Sequence, residues 1–219
     1  MCGRFAFASD MTELLQYYGL TESSYEMPTR YNIAPSQSVA AVIADDNNQL
    51  RVGPLKWGLM PRVWGADTKT KPINARAEGL PTNRTFKPLL TRKRCLIPST
   101  GYYEWRPSDK QPFYIHVESQ PIFSFAGIYD TLESENGEKV STFAIITCPP
   151  NDRTEKIHNR MPVILPREQV MTWLDRGLTD VELLTDMLRP YPSDDTEFYA
   201  VSKLVGNVRN DSSKCVQPI

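Results

Sequence analysis

The chain reads as an α+β fold: one domain, residues 1–219, built on a curved, barrel-like, mainly antiparallel β-sheet with a few peripheral helices. Three observations predict this. Short runs of β-branched and aromatic residues recur along most of the sequence. Helical spacing is confined to three short stretches. Strand and helix patterns do not alternate in the way a wound parallel sheet requires. There are no internal repeats, no low-complexity segments and no linker that would separate a second domain.

Taken in order, RFAFA (4–8) predicts a short strand. Asp10 and Glu13 have the spacing of a capping box, Met11, Leu14, Leu15 and Tyr18 follow at helical intervals, and Gly19 ends the helix. SVAAVIA (38–44), the turn DDNN (45–48) and QLRVGPLKW (49–57) predict a hairpin. Residues 58–92 carry Pro61, Pro72, Pro81 and Pro88 and read as one long basic loop, the kind of segment that usually has a function. Strands are predicted at 94–98, 101–105, 112–117, 122–130, 140–147 and 161–165. Two helices follow: one over about 167–175 with Val170, Met171 and Leu174 on one side, the other over about 180–189 with Thr179 and Glu182 as its capping box and Pro190 as its stop. TEFYAVS (196–202) returns to strand.

Composition narrows the function classes. Hydrophobic residues make up 40% and charged residues 23%, which is ordinary for a globular protein and excludes a disordered one. No apolar run reaches the ~18–20 residues of a membrane helix, and the first ten residues lack the apolar stretch of a secretory signal. Cys2, Cys95, Cys148 and Cys215 lie far apart and form neither a CxxC pair nor a disulfide framework. With only His116 and His158 as histidines, a metal site is unsupported, and no cofactor is expected. The expectation is a cytoplasmic, monomeric protein with reduced thiols and no membrane partner.

The net charge of −1 hides an asymmetry. Residues 51–106 hold twelve Lys and Arg against the acids Asp67, Glu78 and Glu104, a local +9, which leaves −10 on the rest. Trp57, Trp64 and Phe86 lie within this segment. Cationic loops interleaved with aromatics suit single-stranded nucleic acid: phosphates take the charge and bases stack on rings.

Cys2 is the most informative residue. Removal of Met1 would leave an N-terminal cysteine, a 1,2-aminothiol. Its α-amine ordinarily titrates near ~7.7–8.0, so a useful fraction is neutral at pH 7, and a thiol stands two bonds away. That pair suits an aldehyde. The amine condenses to a Schiff base, and the thiol closes on it to form a five-membered thiazolidine.

The order of motifs resembles one family. MCGRF (1–5), YNIAP (31–35), WGLMP (57–61), INARAE (73–78), FKPL (86–89), RCLIP (94–98), GYYEW (101–105), IHNRMP (157–162) and VGNVRN (205–210) follow the pattern of the SRAP family, the SOS response-associated peptidase-like, abasic-site-processing proteins. The resemblance spans essentially the whole chain. It implies a sensor of abasic sites in single-stranded DNA that shields the lesion by a covalent crosslink through Cys2. It also implies release of Met1, by self-processing in the family, and reversal of the crosslink. By the same resemblance Asn74, Glu104 and His158 join Cys2 as catalytic residues. Arg4, Arg76, Arg84, Trp64 and Phe86 contact DNA, while Trp57 fits the core better and His116 receives no role. The chain departs from the family pattern at Asn159, where Asp is common, and at Val63, where many relatives carry a second aromatic beside Trp64. Two other readings compete: a cysteine peptidase acting on peptides, and a non-covalent single-strand-binding module.

Overall fold

The computed structural model describes residues 2–23, 25–65, 69–133 and 137–219. Met1, on whose removal the amino-terminal chemistry turns, lies outside the described residues, as do residues 66–68 of the basic segment.

The centre is a closed barrel. Strands β3 (Ser38–Ala44) and β4 (Leu50–Trp57) form the predicted hairpin. β3 pairs with β6 (Arg94–Ser99), β6 with β9 (Phe123–Glu133), and β9 with β10 (Lys139–Cys148), all antiparallel. β10 then runs parallel to β4 and closes the ring. A second, wholly antiparallel sheet packs beside it in the order β13 (Thr196–Ala200), β8 (Pro112–Val117), β7 (Gly101–Trp105), β1 (Phe5–Phe7), β2 (Arg30–Ile33). The α+β, barrel-like, mainly antiparallel architecture is the one the sequence predicts.

The two sheets are joined by aromatic packing. Phe5 on β1 meets Trp57 edge-on at 5.3 Å and Phe125 at 5.7 Å, and Tyr102 on β7 meets Phe125 at 6.0 Å. These four rings are all but fully buried, which makes Trp57 a core residue. The outer face of the second sheet is covered as well: Ala6, Tyr103 and Tyr114 pack under Val201, Val205 and Cys215 of the C-terminal segment. With both faces covered, β1 and β7 read as continuous apolar runs instead of alternating ones. Gly101 has a local reason: the Tyr114 ring lies across it, and a Cβ there would fall 2.2 Å from the ring.

A polar latch holds the C-terminal segment down. Asn32 is fully buried, and its amide donates to the carbonyls of Val205, Asn207 and Asn210 at 3.1, 3.1 and 2.6 Å. Its Oδ1 accepts from Arg4, which also donates to the Val205 carbonyl. Asp211 accepts from the backbone N–H groups of Tyr31 and Asn32 and pairs with Arg30. The motifs at 31–35 and 205–210 are thus two halves of one clasp.

Several elements differ from expectation. Residues 58–92 are not one loop: β5 (Asn74–Arg76) pairs in parallel with β10, and helix α2 covers Phe86–Arg92. Pro88 is compatible with α2 because it sits in the first turn, where its missing N–H has no intrahelical partner to lose. Asn83 Oδ1 accepts from the N–H groups of Thr85 and Phe86 and starts the helix. The predicted strand at 161–165 is two short pieces, β11 (Met161–Pro162) on β10 and β12 (Ile164–Leu165) on β9. Val163 bridges them, its N–H on Ile146 and its carbonyl under Ala126, so the segment wedges β9 and β10 apart. Helix α1 (Met11–Tyr18) has the predicted Asp10 cap and ends at Gly19 with φ 68°. The two late helices are shorter than predicted: α3 is Val170–Leu174 and α4 is Val181–Asp186. The cap of α4 is Asp180 and not Thr179, since Asp180 Oδ1 accepts from the N–H groups of Glu182 and Leu183.

Asn32→Ala removes one side chain from four polar partners and leaves buried carbonyls unpaired. We expect a loss of about 2–3 kcal/mol in urea unfolding, with faster amide exchange concentrated in residues 203–216. Exchange that rises uniformly over the chain would contradict the clasp.

Candidate active site

The site forms where the second sheet meets the splayed end of the barrel. Antiparallel pairing sets Phe5 opposite Tyr102, and Tyr103 N–H donates to the Arg4 carbonyl at 2.9 Å. This register carries the start of the chain alongside Glu104. Parallel pairing of β5 with β10 sets Asn74 opposite Ile145 and Arg76 opposite Thr147. Past β10, Asn151 Oδ1 accepts from Thr154 N–H, the chain turns through Thr154–Lys156, and His158 N–H closes on the Thr154 carbonyl.

Four residues named from the sequence are brought together. Asn74 Nδ2 donates to the Cys2 carbonyl at 3.0 Å, tying the first residues of the chain to the barrel. His158 Nδ1 lies 4.0 Å from Glu104 Oε1. Cys2 is fully buried, and Glu104 is 4% exposed. The Cys2 thiol feels the Glu104 charge directly: burial first, and then that carboxylate, push the thiol far above its ordinary range.

Burial sets the electrostatics. It raises the Glu104 carboxyl from 4.5 to about 7, so near neutrality the group exists as both acid and base. Burial also lowers the His158 pKa, which keeps its ring neutral at pH 7. Arg160 N–H donates to His158 Nδ1 at 3.1 Å and fixes the ring plane. Asn74 Oδ1 is buried and has no hydrogen-bond partner among the described residues.

The residues expected on DNA divide into two groups. Trp64 and Phe86 pair at 6.0 Å, and Trp64 Nε1 donates to Thr85 Oγ1. Trp64 is 38% exposed and Val63 beside it 78%, so the missing second aromatic leaves an aliphatic tip. Arg76 and Arg84 are exposed on the same basic segment. Arg4 is different: it is half-buried and committed to Asn32 and the Val205 carbonyl, with its guanidinium 5.8 Å over Trp105. The +9 segment is also less free than its count suggests. Arg94 is buried and donates to the carbonyls of Trp173, Leu90 and Asp175, while Arg51 and Arg106 pair with Asp45 and Asp109. His116 stacks on Tyr114 and meets Tyr199 at a tilt on the second sheet.

Sequence reasoning missed Arg160. It pairs bidentately with Glu78 and donates to the Thr147 carbonyl at 2.6 Å, joining the end of β10 to INARAE and to the His158 turn. The only sequence signal was Glu78 and Arg160 standing within two of the quoted motifs.

The chain is 40% identical over 224 residues to abasic site processing protein YoqW of Bacillus subtilis, an alignment covering 99% of each chain. It is 31% identical to abasic site processing protein YedK of Escherichia coli, with both chains fully covered. A crystal structure of a Bacteroides thetaiotaomicron protein superposes with a TM-score of 0.86 at 28% identity, again over the whole of both chains. The profile of the SOS response associated peptidase family matches residues 1–208, and the chain belongs to that family, SRAP.

Proposed function

We propose that this chain captures abasic sites in single-stranded DNA as a thiazolidine on Cys2, and that residues 1–219 act as one unit in doing so. The observation that carries this reading is the convergence of Cys2 and Asn74 with a buried carboxyl, Glu104, held near neutrality. The relatives' names, abasic site processing proteins, support the substrate class.

Once Met1 is removed, the neutral α-amine of Cys2 attacks the aldehyde carbon of the opened sugar. Asn74 holds the Cys2 carbonyl, and its Oδ1 is the acceptor available to orient the amine. Glu104 in its acid form gives its proton to the carbinolamine hydroxyl, which leaves as water. The resulting imine is closed by the thiol, whose proton ends on nitrogen. Overall one water is lost, and reversal takes one back. His158, neutral and beside Glu104, assists opening of the sugar hemiacetal. Trp64 and Phe86 stack beside the lesion, Arg76 and Arg84 take phosphates, and Arg4, held on Asn32 and the Val205 carbonyl, supplies positive charge from within the fold. The same catalytic group hydrolyses the Met1–Cys2 bond.

The buried thiol also weighs against a peptidase acting on other proteins. Such enzymes attack through a thiolate of lowered pKa, and here burial pushes the other way. It favours chemistry in which the amine attacks first and the thiol second.

Four outcomes are expected. Incubation with an oligonucleotide bearing an abasic site should add the oligonucleotide mass less one water, with Met1 absent, and Cys2→Ala should abolish the adduct while Cys95→Ala and Cys215→Ala leave it intact. A full-strength adduct from Cys2→Ala would sink the proposal. Glu104→Gln should slow adduct formation by roughly a hundredfold or more and remove the rate limb near pH 7. The same variant should gain stability at high pH. The folded carboxyl titrates above its unfolded value, so its contribution to stability is intact below the ordinary carboxylate range and is lost as pH rises through about 7. Thermal melts of the two proteins at pH 5 and pH 9 test this. Trp64→Ala should weaken single-strand binding roughly tenfold or more while leaving the adduct rate at saturating DNA unchanged; equal binding by both proteins would remove Trp64 from the interface.

A further inference from the structure

Tyr102 is a fully buried polar side chain of the site that neither the sequence nor the proposed chemistry has used. It lies on β7 two residues before Glu104, so the strand pleat places both side chains on one face, about 7 Å apart along the strand. Across the pairing it faces Phe5, three residues from Cys2. Its ring is held edge-on by Phe125. Its hydroxyl is buried, and among the described residues it has no hydrogen-bond partner.

An unpaired buried hydroxyl costs roughly 1–3 kcal/mol against a hydrogen-bonded one, and phenylalanine would fill the same aromatic cluster without that cost. The polar atom points to a partner that comes within its reach during the reaction. Burial chiefly, and then the acidic groups Cys2, Glu104 and Cys148 nearby, oppose ionisation of this hydroxyl. It is therefore a neutral donor in the electrostatic reach of all three.

We propose that Tyr102 is a further catalytic residue: its hydroxyl donates a hydrogen bond to the Cys2 sulfur as that sulfur closes on the imine. This rests on the aldehyde-capture reading above. In the step a sulfur lone pair forms the C–S bond, the C=N π pair moves to nitrogen, and nitrogen takes the proton given up by the thiol. Tyr102 keeps its own proton throughout and only stabilises charge on sulfur. The Arg4 backbone N–H already favours negative charge on that sulfur. A thiol buried this deeply needs a second donor at the moment it becomes a nucleophile.

The test separates the two bonds of the ring. Borohydride reduces and traps the imine, whereas the closed thiazolidine survives heating in detergent without it. Full-length protein and Tyr102→Phe are mixed with an abasic oligonucleotide and quenched over time, with and without borohydride. Tyr102→Phe should form total trapped adduct at the original rate, yet build the borohydride-independent product roughly tenfold more slowly. Its pH profile for ring closure should shift to higher pH. Identical time courses, or equal slowing of both products, would overturn the assignment to Tyr102. Failure of the unaltered protein to form any adduct would instead overturn the aldehyde-capture reading.

Discussion

The hydrogen bond from Asn74 to the Cys2 carbonyl is the constraint on which the site depends. An amino terminus is ordinarily the loosest part of a chain, and a nucleophile placed there loses the advantage of fixed orientation. Here the first residues are held from two sides. The antiparallel pairing of β1 with β7 sets their direction, and the amide of a barrel strand stops them at residue 2. Trp57 extends the support: its indole donates to the Ile73 carbonyl at 2.9 Å, immediately before Asn74, while its ring packs on Phe5. One core side chain thus positions both ends of the bond.

Burial then favours the neutral form of every neighbouring group, and the chemistry uses the result. It brings Glu104 up into the range where a carboxyl can exchange protons at pH 7, while it silences the thiol beside it and keeps His158 neutral. A low dielectric penalises every ionised form, so an acid, a thiol and an imidazole all become neutral together. Neutral amine, neutral thiol and acid-form carboxyl are the states that carbonyl condensation needs. The site holds a carboxyl that folding disfavours in its ionised form, a cost borne where the function lies.

Much of the fold was legible in the sequence because the signals were local. Asp10 and Gly19 bound α1 as their chemistry demands, and the β3–β4 hairpin follows from its turn residues. What stayed hidden was non-local or too short. β5 spans three residues, too few for any period to register, and the parallel pairing that closes the barrel leaves no trace in either partner. α2 was masked by Pro88, which reads as a breaker until its place in the first turn is known. In the site, Cys2 could be reasoned from the chemistry of an aminothiol. Asn74, Glu104 and His158 came by resemblance alone, because nothing in their neighbours distinguishes them before the strands are paired. Arg160 and Tyr102 escaped notice since their significance lies in what they do, or do not, bond to.

The clasp between Asn32 and the C-terminal segment has a consequence for how signatures are interpreted. YNIAP and VGNVRN belong to the family pattern as GYYEW does, yet among the described residues the clasp they form meets the amino-terminal segment through Arg4. Arg4 and Asn32 should change together, because each side chain holds the other, whereas positions 205, 207 and 210 enter through backbone carbonyls and can vary in side chain. Invariance there would record an architectural debt, and ranking residues by invariance alone would enrol a buckle among the reagents.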